Sequence, residues 1–166
     1  MPSEQNDIAP CMIFIDKEGR WYHKCVEMIH RDFIRLFYQN IELDLQGRYL
    51  IDWNKQRCYV DVEDTAFVVW NIVYEKKNGD QEAEVILRLS DDTKEKLSPD
   101  SLSVGRDNVL YCKVKGNAFP ARFNRAAYYQ LANYIKEKDG AFFLLLNGKK
   151  HVTSQKVRVN RRTYGP

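Results

Sequence analysis

The sequence lacks any apolar run long enough to cross a membrane as a helix, which excludes a helical membrane protein. Its opening residues, MPSEQNDIAP, lack the basic and apolar regions of a secretory signal peptide. We therefore expect a cytoplasmic protein with no membrane partner. Its 166 residues are enough to bury one core or two small ones.

Metal-binding and redox signatures are also missing. The four cysteines form no CxxC pair, and the three histidines have no zinc-like spacing beside them. We expect the cysteines to be free thiols, since unpaired cysteines are commonly buried in protein cores. The sequence therefore predicts neither a metal site nor a cofactor.

Catalytic fingerprints are absent as well, because the patterns GxxxxGK[ST], GxGxxG, GxSxG and HExxH do not occur. Asp61 and Glu63 share one face of an alternating strand, where a solvated surface is a commoner explanation than acid–base chemistry. His23 and Cys25 would also share a face if their strand continued, which leaves a Cys–His pair open. Taken together, these patterns predict a non-catalytic protein.

The net charge of +3 is unevenly distributed along the chain. Six lysines and arginines and no acidic residue follow Asn147, which leaves 20 basic and 23 acidic residues, a net charge of −3, in residues 1–146. A basic tail over residues 153–166 can bind nucleic acid, although most charged tails are simply solvated. Because Tyr164 is its only aromatic residue, the tail lacks the stacking surface of a single-strand binder.

The first half of the sequence predicts a hairpin, a helix and further strands. Apolar residues flank the turn DKEG, as expected for a hairpin. The spacing within residues 29–41 places Ile29, Phe33 and Phe37 on one face of a helix. The stretch CYVDVED, residues 58–64, alternates like a half-buried antiparallel strand.

The second half repeats this alternation of strands and a helix. Residues 66–74 form the most apolar predicted strand, and an Asn-Gly pair after it predicts a tight hairpin turn. The polar stretch 90–109 is long for a structureless loop, so we expect it to be mobile or functional. Asn124 is expected to cap a second helix that Gly140 ends, and AFFLLL, residues 141–146, predicts a final apolar strand.

Residues 18–51 and 115–146 share one pattern: Gly, a short aromatic strand, a basic residue, an amphipathic helix, a second Gly and an apolar strand. We interpret this as a duplicated unit in an α+β fold, although a hairpin followed by a helix is common enough to arise by convergence. Each half would be a small antiparallel sheet or half-barrel covered by one helix. Since small sheets need a partner surface, the halves are expected to pack together and leave a groove between them. The predicted divisions are a disordered N-terminus (1–11), an N-terminal β-β-α-β-β half (12–64), a C-terminal half (65–152) and the basic tail (153–166).

Basic residues stand at the start of both predicted helices, with Arg122 and Arg125 at the second and His30 and Arg31 at the first. Because a helix N-terminus carries partial positive charge, these residues need a negative partner. An anionic ligand such as a phosphate is one candidate, and structural ion pairs are the commoner alternative. The acidic side chains available for such pairs are Asp61, Glu63 and Asp64.

Several stretches in order resemble a bacterial family, domain-of-unknown-function family 1285 (DUF1285). The matching segments are "DKEGRWYH", "RLF", "VEDTAF", "LRLSDDT…SPDSL" and "KVKGNAFPARFNRAAYYQL", and they cover most of residues 12–146. The resemblance implies a duplicated core whose C-terminal half is superficially like a pleckstrin-homology (PH) fold. It also implies a small-ligand site, perhaps nucleotide-like, where the halves meet, a role in signalling, and no enzymatic activity.

The resemblance can be carried over only at positions that fall in these motifs. Those positions are Trp21, Asp64, Phe67, Asp92, Gly116, Arg122 and Tyr129. The chain departs from the family at three places. Residues 25–28 read CVEM where the family usually has Gly-Ser-Pro-Ile, and Trp53-Asn54 replaces the usual Thr-Pro. Ala66 also replaces the proline of the family's "VEDAPF".

The leading hypothesis from the sequence is a ligand-binding or regulatory protein that holds a small anionic molecule, such as a nucleotide, between its halves. Three arginines would bind the anion through charge-assisted hydrogen bonds, namely Arg88, Arg122 and Arg125. Trp21 or Trp53 would stack on the ligand, and Asp92 would lie in the same site. The alternative is a protein- or nucleic-acid-interaction module that uses the basic tail. The sequence does not predict an oligomeric state.

Overall fold

A computed structural model gives the structure of residues 8–77, 79 and 82–155. Within these residues the chain forms two large β-sheets, one small sheet and two α-helices, an α+β fold as predicted. Neither helix among the described residues is long and apolar enough to cross a membrane.

The first large sheet is formed by the N-terminal half. Its strands are β1 (Ala9–Ile15), β2 (Trp21–His23), β3 (Val26–Glu27), β4 (Ile41–Leu43), β5 (Tyr49–Trp53) and β6 (Gln56–Val62). They lie in the order β3-β2-β1-β6-β5-β4. Helix α1 (Arg31–Gln39) connects β3 to β4, close to the helix predicted from the apolar spacing.

The second large sheet is formed by the C-terminal half. Its strands are β7 (Phe67–Lys77), β8 (Glu82–Leu89), β9 (Lys94–Lys96), β10 (Ser103–Val104), β11 (Leu110–Val114), β12 (Phe119–Phe123) and, further along the chain, β16 (Ser154–Gln155). Their order is β16-β10-β11-β12-β7-β8-β9. Two short 3-10 helices, Pro99–Ser101 and Arg106–Asn108, flank β10.

The two halves share one topology, which confirms the prediction of two similar units. Each contains two three-stranded antiparallel meanders, and the first strand of each unit pairs in parallel with its sixth. Each sheet is therefore mixed rather than purely antiparallel, and neither closes into a barrel. The parallel pairs are β1 with β6 and β7 with β12.

The helices do not correspond between the halves, contrary to the predicted repeat. Helix α1 joins the two meanders of the first half, whereas α2 (Arg125–Ala132) begins only after the sixth strand of the second half. In the place of α1 the second half has the 3-10 helix Pro99–Ser101. The similarity between residues 18–51 and 115–146 is therefore convergent patterning. The structural repeat instead relates the six strands β1–β6 to the six strands β7–β12.

The end of α2 also differs from the prediction. The helix stops at Ala132 rather than near Gly140, and the chain continues as a three-stranded sheet. Its strands are β13 (Ile135–Lys138), β14 (Ala141–Leu146) and β15 (Lys149–Val152). Asp139 and Gly140 both have positive φ (54° and 78°), so this Asp-Gly pair forms a hairpin turn between β13 and β14 rather than a helix end.

Other boundaries also shift. Strand β1 includes residues 9–11, which were predicted to be disordered. The stretch 90–109, expected to be a mobile or functional loop, contains β9, both 3-10 helices and β10. The predicted hairpin after residues 66–74 forms between β7 and β8, but Asn78 of its turn lies outside the described residues. So does most of the basic tail, residues 156–166.

A disulfide corrects the expectation that all cysteines are free. Cys11 of β1 and Cys58 of β6 are bonded, with their Cα atoms 4.9 Å apart. Parallel pairing of β1 with β6 brings the two strands side by side, which sequence separation did not reveal. Cys25 and Cys112 are free. Because disulfides are rare in reducing compartments, the cytoplasmic location stays a prediction.

Helix α1 packs between the halves and joins them into one core. Its buried residues, Ile34 and Tyr38, belong to a cluster that includes side chains of both sheets. The predicted apolar face was wrong, because Ile29 lies before the helix and both Ile29 and Phe33 are exposed. At its first turn, Arg31 pairs with Asp92 of the second half at 2.9 Å and also donates to the Ser90 carbonyl at 2.7 Å. The halves are thus held by apolar contacts and by ion pairs at the helix start.

Two turns of the first half are built from the same D-x-x-G-R sequence. In the β1–β2 turn, Asp16 Oδ1 accepts the backbone N–H groups of Glu18 and Arg20, each at 2.9 Å, and Asp16 Oδ2 accepts Arg20 Nε at 2.8 Å. Burial alone would raise the pKa of Asp16, but these hydrogen bonds outweigh it and lower the pKa. Asp44 and Arg48 repeat the arrangement between β4 and β5.

The two turns differ in what lies beside their glycine. Gly19 and Gly47 have φ values of +81° and +80°, a backbone conformation that is strained for residues other than glycine. A Cβ atom on Gly19 would lie 3.0 Å from Ser90 Cβ and 3.2 Å from Val68 Cβ, whereas Gly47 has nothing within 4 Å. The β1–β2 turn is therefore packed closely against the second half, and the β4–β5 turn is not.

We expect Gly19→Ala to destabilise the protein more than Gly47→Ala. Both substitutions place a Cβ in the left-handed region, at a cost of about 1–2 kcal/mol. Only Gly19→Ala also overpacks the junction, which adds about 1–3 kcal/mol. Denaturant unfolding of the two variants measures the difference, and equal losses of stability would show that the turn does not pack tightly against the second half.

Candidate functional site

A groove of about 390 Å³ lies where the two halves meet. The first half contributes the β1–β2 turn, and the second contributes the end of β12, the start of α2 and the chain before β11. The side chains that matter most are Lys17, Glu18, Asp107, Arg122, Arg125, Tyr128 and Tyr129. The predicted groove between the halves is therefore present, and the ligand expected there stays a prediction.

The β1–β2 turn is fixed in the groove wall by two bonds to its backbone. Trp70 Nε1 of β7 donates to the Glu18 carbonyl at 2.9 Å, which ties the turn to the second half. The backbone N–H of Lys17 donates to Glu63 Oε2 at 2.8 Å. With its backbone held on both sides, the turn presents the Lys17 and Glu18 side chains at a defined place.

Arg122 lies in the groove but already has a protein partner. Its Nη1 lies 2.9 Å from Asp64 Oδ2, and the Tyr111 hydroxyl donates to the same oxygen at 2.6 Å. Burial lowers the pKa of Arg122, but the hydrogen bond and the charge of Asp64 together outweigh this effect, so the net shift of the pKa is upward. Burial and the bond to Asp64 likewise raise the pKa of Tyr111 to about 12. At neutral pH both groups are donors to Asp64, which is the structural ion pair that the sequence left open as an alternative.

Arg125 and Lys17 are the cations that remain available. Arg125 is exposed at the first position of α2, with its guanidinium carbon 5.8 Å from the centre of the Tyr129 ring. Within the described part of the chain, neither Lys17 nor Arg125 has a carboxylate at ion-pair distance. The predicted excess of positive charge at this helix start is therefore only partly neutralised.

The start of α2 adds to the positive potential of the groove. Asn124 caps the helix as predicted, because its Oδ1 accepts the backbone N–H of Ala127 at 2.8 Å. The helix has no acidic residue in its first turn. Glu18 and Asp107 also line the groove, and Arg122 is paired with Asp64, so the two available cations, Lys17 and Arg125, share the groove with two carboxylates.

The other residues predicted for the site lie elsewhere. Arg88 is exposed on β8 and does not line the groove. Asp92 is paired with Arg31 and Arg35 at 2.9 and 3.2 Å, so it belongs to the contact between α1 and the second half. Of the six predicted residues, the structure brings together only Arg122 and Arg125.

The two predicted stacking residues behave differently from each other. Trp21 is fully buried, with its ring stacked on Phe37 at 6.1 Å, which leaves no surface for a ligand. Trp53 is 44 % exposed at the end of β5 and packs edge-on against Phe37 at 5.9 Å. Neither lies in the junction groove, where the available rings are those of Tyr128 and Tyr129.

The weak catalytic arrangements gain no support from the geometry. Strand β2 ends at His23, and Cys25 follows in a turn with a φ of 66°, so the shared strand face assumed for this pair does not exist. Burial raises the pKa of the Cys112 thiol to about 12, which keeps it protonated at neutral pH. The described residues contain no group of three or more metal-binding side chains.

Sequence reasoning missed Lys17, Tyr128 and the acidic residues of the groove. Lys17 lies in the turn DKEG, within a motif that carried the family resemblance, so a signal was present. It could not be placed in the site, however, because nothing in the sequence shows that this turn folds against α2.

The fold has counterparts among solved structures. A DUF1285 family protein from Silicibacter pomeroyi DSS-3 matches with a TM-score of 0.71 and 15 % identity, over 92 % of this chain and 87 % of that chain. A DUF1285 family protein from Shewanella baltica OS155 matches with a TM-score of 0.59 and 17 % identity, over 74 % of this chain and 91 % of that chain. The chain has the fold of DUF1285 family proteins. Comparisons with protein-family models and with curated proteins find no match.

The DUF1285-like fold confirms the resemblance seen in the sequence motifs at the level of architecture. The comparison to a PH fold for the C-terminal half stays a prediction. At sequence identities this low, structural similarity establishes a common fold but assigns neither a ligand nor a residue role to this chain.

We expect Asp64→Ala to destabilise the protein by about 1–3 kcal/mol, because it removes the acceptor of two hydrogen bonds from half-buried donors. Asp52→Ala, which breaks the exposed 3.7 Å contact with Arg57, is the control and should cost less than about 1 kcal/mol. A double-mutant cycle of Asp64→Ala with Arg122→Met, measured by denaturant unfolding, isolates the pair. A coupling energy near zero would show that Arg122 does not depend on Asp64.

Proposed function

We propose that this protein is a non-catalytic binding module that holds a small anionic ligand in the groove between its halves. The observation that carries the proposal is the meeting of Lys17 and Arg125, from different halves, in one groove without a carboxylate partner for either among the described residues. A cation that lacks a carboxylate partner in a concave site favours an anion.

The groove offers suitable chemistry for an oxyanion. Arg125 can donate two parallel hydrogen bonds to a phosphate or carboxylate, and Lys17 adds a flexible positive charge from the other half of the protein. The start of α2 contributes partial positive charge in the same region. Arg122, held by Asp64, shapes the wall rather than providing a free cation. The volume of about 390 Å³ lies within the usual range of small-molecule sites.

The family resemblance is consistent with this proposal, since it implies a small-ligand site between the halves and a role in signalling. A regulatory protein in the cytoplasm would fit such a module. Because ligand binding here draws on both halves, an occupied groove would also stabilise their junction.

We expect Arg125→Ala to weaken binding of a phosphorylated ligand roughly tenfold or more, since a charge-assisted hydrogen bond contributes about 1.5–3 kcal/mol. The melting temperature of this variant should change little, because the Arg125 side chain is exposed and is 5.8 Å from the Tyr129 ring centre. Arg122→Ala is a poorer probe, since it would also break the pair with Asp64.

The measurement is a thermal-shift screen of nucleotides and other phosphorylated metabolites, followed by calorimetric titration of those that stabilise the protein. Arg88→Ala is the matched control, because Arg88 is an exposed arginine outside the groove. Equal affinities of the Arg125→Ala and Arg88→Ala variants, or no stabilisation by any anion, would overturn the proposal.

A second candidate function, binding of nucleic acid or of an acidic protein, is favoured by one face of the three-stranded sheet. Strand pairing places Lys136, Lys138 and Lys150 on the same face as Phe143 and Leu145. The three lysines are exposed, and Lys150 Nζ lies 5.0 Å from the centre of the Phe143 ring. The predicted basic tail follows this sheet in sequence, although residues 156–166 lie outside the described part of the chain.

For this second candidate we expect labelled single-stranded DNA to bind with an affinity that falls steeply with salt, because counterions are released on binding. Replacing Lys138 and Lys150 by alanine should weaken binding and reduce the salt slope by about 1.4, or 0.7 for each lost phosphate contact. Fluorescence anisotropy measures both, with Lys24→Ala/Lys55→Ala, two exposed lysines of the first sheet, as control. An affinity that does not depend on salt, or that both double variants reduce equally, would exclude this face as the nucleic-acid-binding surface.

A further inference from the structure

A second cavity of about 320 Å³ lies directly beside the groove, between α2, the second large sheet and the three-stranded sheet. Most of its wall is apolar. The apolar side chains that line it are Val104, Leu110, Tyr128, Ala132, Ile135 and Phe142.

The cavity and the groove are neighbours. Asn108, Leu110 and Tyr128 line both, so these side chains form the border between the two spaces. Helix α2 runs along both spaces, with Arg125 in the groove and Ala132 in the cavity. At a rise of about 1.5 Å per residue, these two positions lie about 10 Å apart along the helix axis. This distance is within the length of one small molecule, which would pass the border at Tyr128 to occupy both spaces.

The polar groups of the cavity do not suit a nucleobase. Thr153 is buried, and its hydroxyl already donates to the Phe142 carbonyl at 3.0 Å. The remaining polar residues, Asn108, Lys136 and Glu137, are exposed and so belong to the rim. A buried nucleobase would need partners for several donors and acceptors, whereas an aromatic or aliphatic group needs none.

We infer that the ligand is an amphiphilic anion, an organic phosphate or carboxylate whose apolar body fills the cavity while its charged group binds Arg125 and Lys17. This inference rests on the proposed function and narrows it. The sequence led us to expect a nucleotide, whereas the cavity favours a phosphate or carboxylate that carries an aryl or short alkyl group. Tyr128 lies between the two compartments and would contact the ligand where its charged and apolar parts join.

The test is a ligand series titrated into the full-length protein, with inorganic phosphate, phenyl phosphate, 1-naphthyl phosphate and AMP. Each apolar group that enters the cavity should add affinity, so we expect 1-naphthyl phosphate to bind at least about tenfold more tightly than inorganic phosphate. AMP should gain less than the aryl esters. This series needs no variant, so its outcome does not depend on a substitution that folds.

A variant then locates the gain. Ala132→Phe places a ring in the cavity and should remove the advantage of the aryl esters while the affinity for inorganic phosphate stays the same. Ala126→Phe, the same change at an exposed position of the same helix that lines neither space, should keep the advantage.

The outcomes separate the two proposals. If inorganic phosphate binds and Arg125→Ala abolishes its binding, but the aryl esters bind no more tightly or AMP binds best, the inference is overturned and the proposed function stands. If no member of the series binds, or binding is insensitive to Arg125→Ala, the proposed function fails as well. An aryl advantage that survives Ala132→Phe would place the apolar body outside this cavity and also overturn the inference.

Discussion

The packing of Tyr38 between the two halves is the interaction on which the rest of the structure depends. Its hydroxyl donates to the Ala66 carbonyl at 2.7 Å and lies 2.8 Å from the Ser90 hydroxyl, both in the second half. Its ring packs against Trp21 of the first half and Phe67 of the second, with centroids 4.8 and 4.9 Å away. Burial raises the pKa of Tyr38 to about 12, so the hydroxyl remains a donor at neutral pH. One helix side chain thus fixes both sheets through apolar and polar contacts together.

The groove exists because this junction is fixed. Neither half contains it alone, since Lys17 comes from the first half and Arg125 from the second. Gly19 permits the close approach of the β1–β2 turn, and the bond from Trp70 to the Glu18 carbonyl holds the turn in place. Two similar halves in this way form a groove that one half alone lacks. The added α2 and three-stranded sheet, which have no counterpart in the first half, enclose an apolar cavity beside that groove.

Local signals in the sequence were reliable where one physical cause dominated. Helix α1, the cap at Asn124 and the hairpin around the turn DKEG were all predicted and are present. The face of α1 was wrong, because its buried residues are Ile34 and Tyr38 and not the predicted Ile29 and Phe33. The end of α2 was wrong because the Asp139-Gly140 pair was read as a helix stop, although the same pair is a strong hairpin signal. Both interpretations satisfy the local pattern, and strand pairing in the three-stranded sheet decides between them.

The sequence by itself determined the α+β class and an excess of positive charge at the start of α2, because periodicity, turn residues and charge act within a few positions of each other. The two similar halves were predicted from a repeat that does not correspond in the structure, and their common strand order became visible only in the fold. Only the tertiary structure decided which charges are free. It paired Arg122 with Asp64 and Asp92 with Arg31, and it buried Trp21. The two ion pairs join residues some 60 positions apart, and Trp21 packs against Phe37 and Tyr38 of α1, so these outcomes follow from how the two sheets and α1 pack and not from any local pattern.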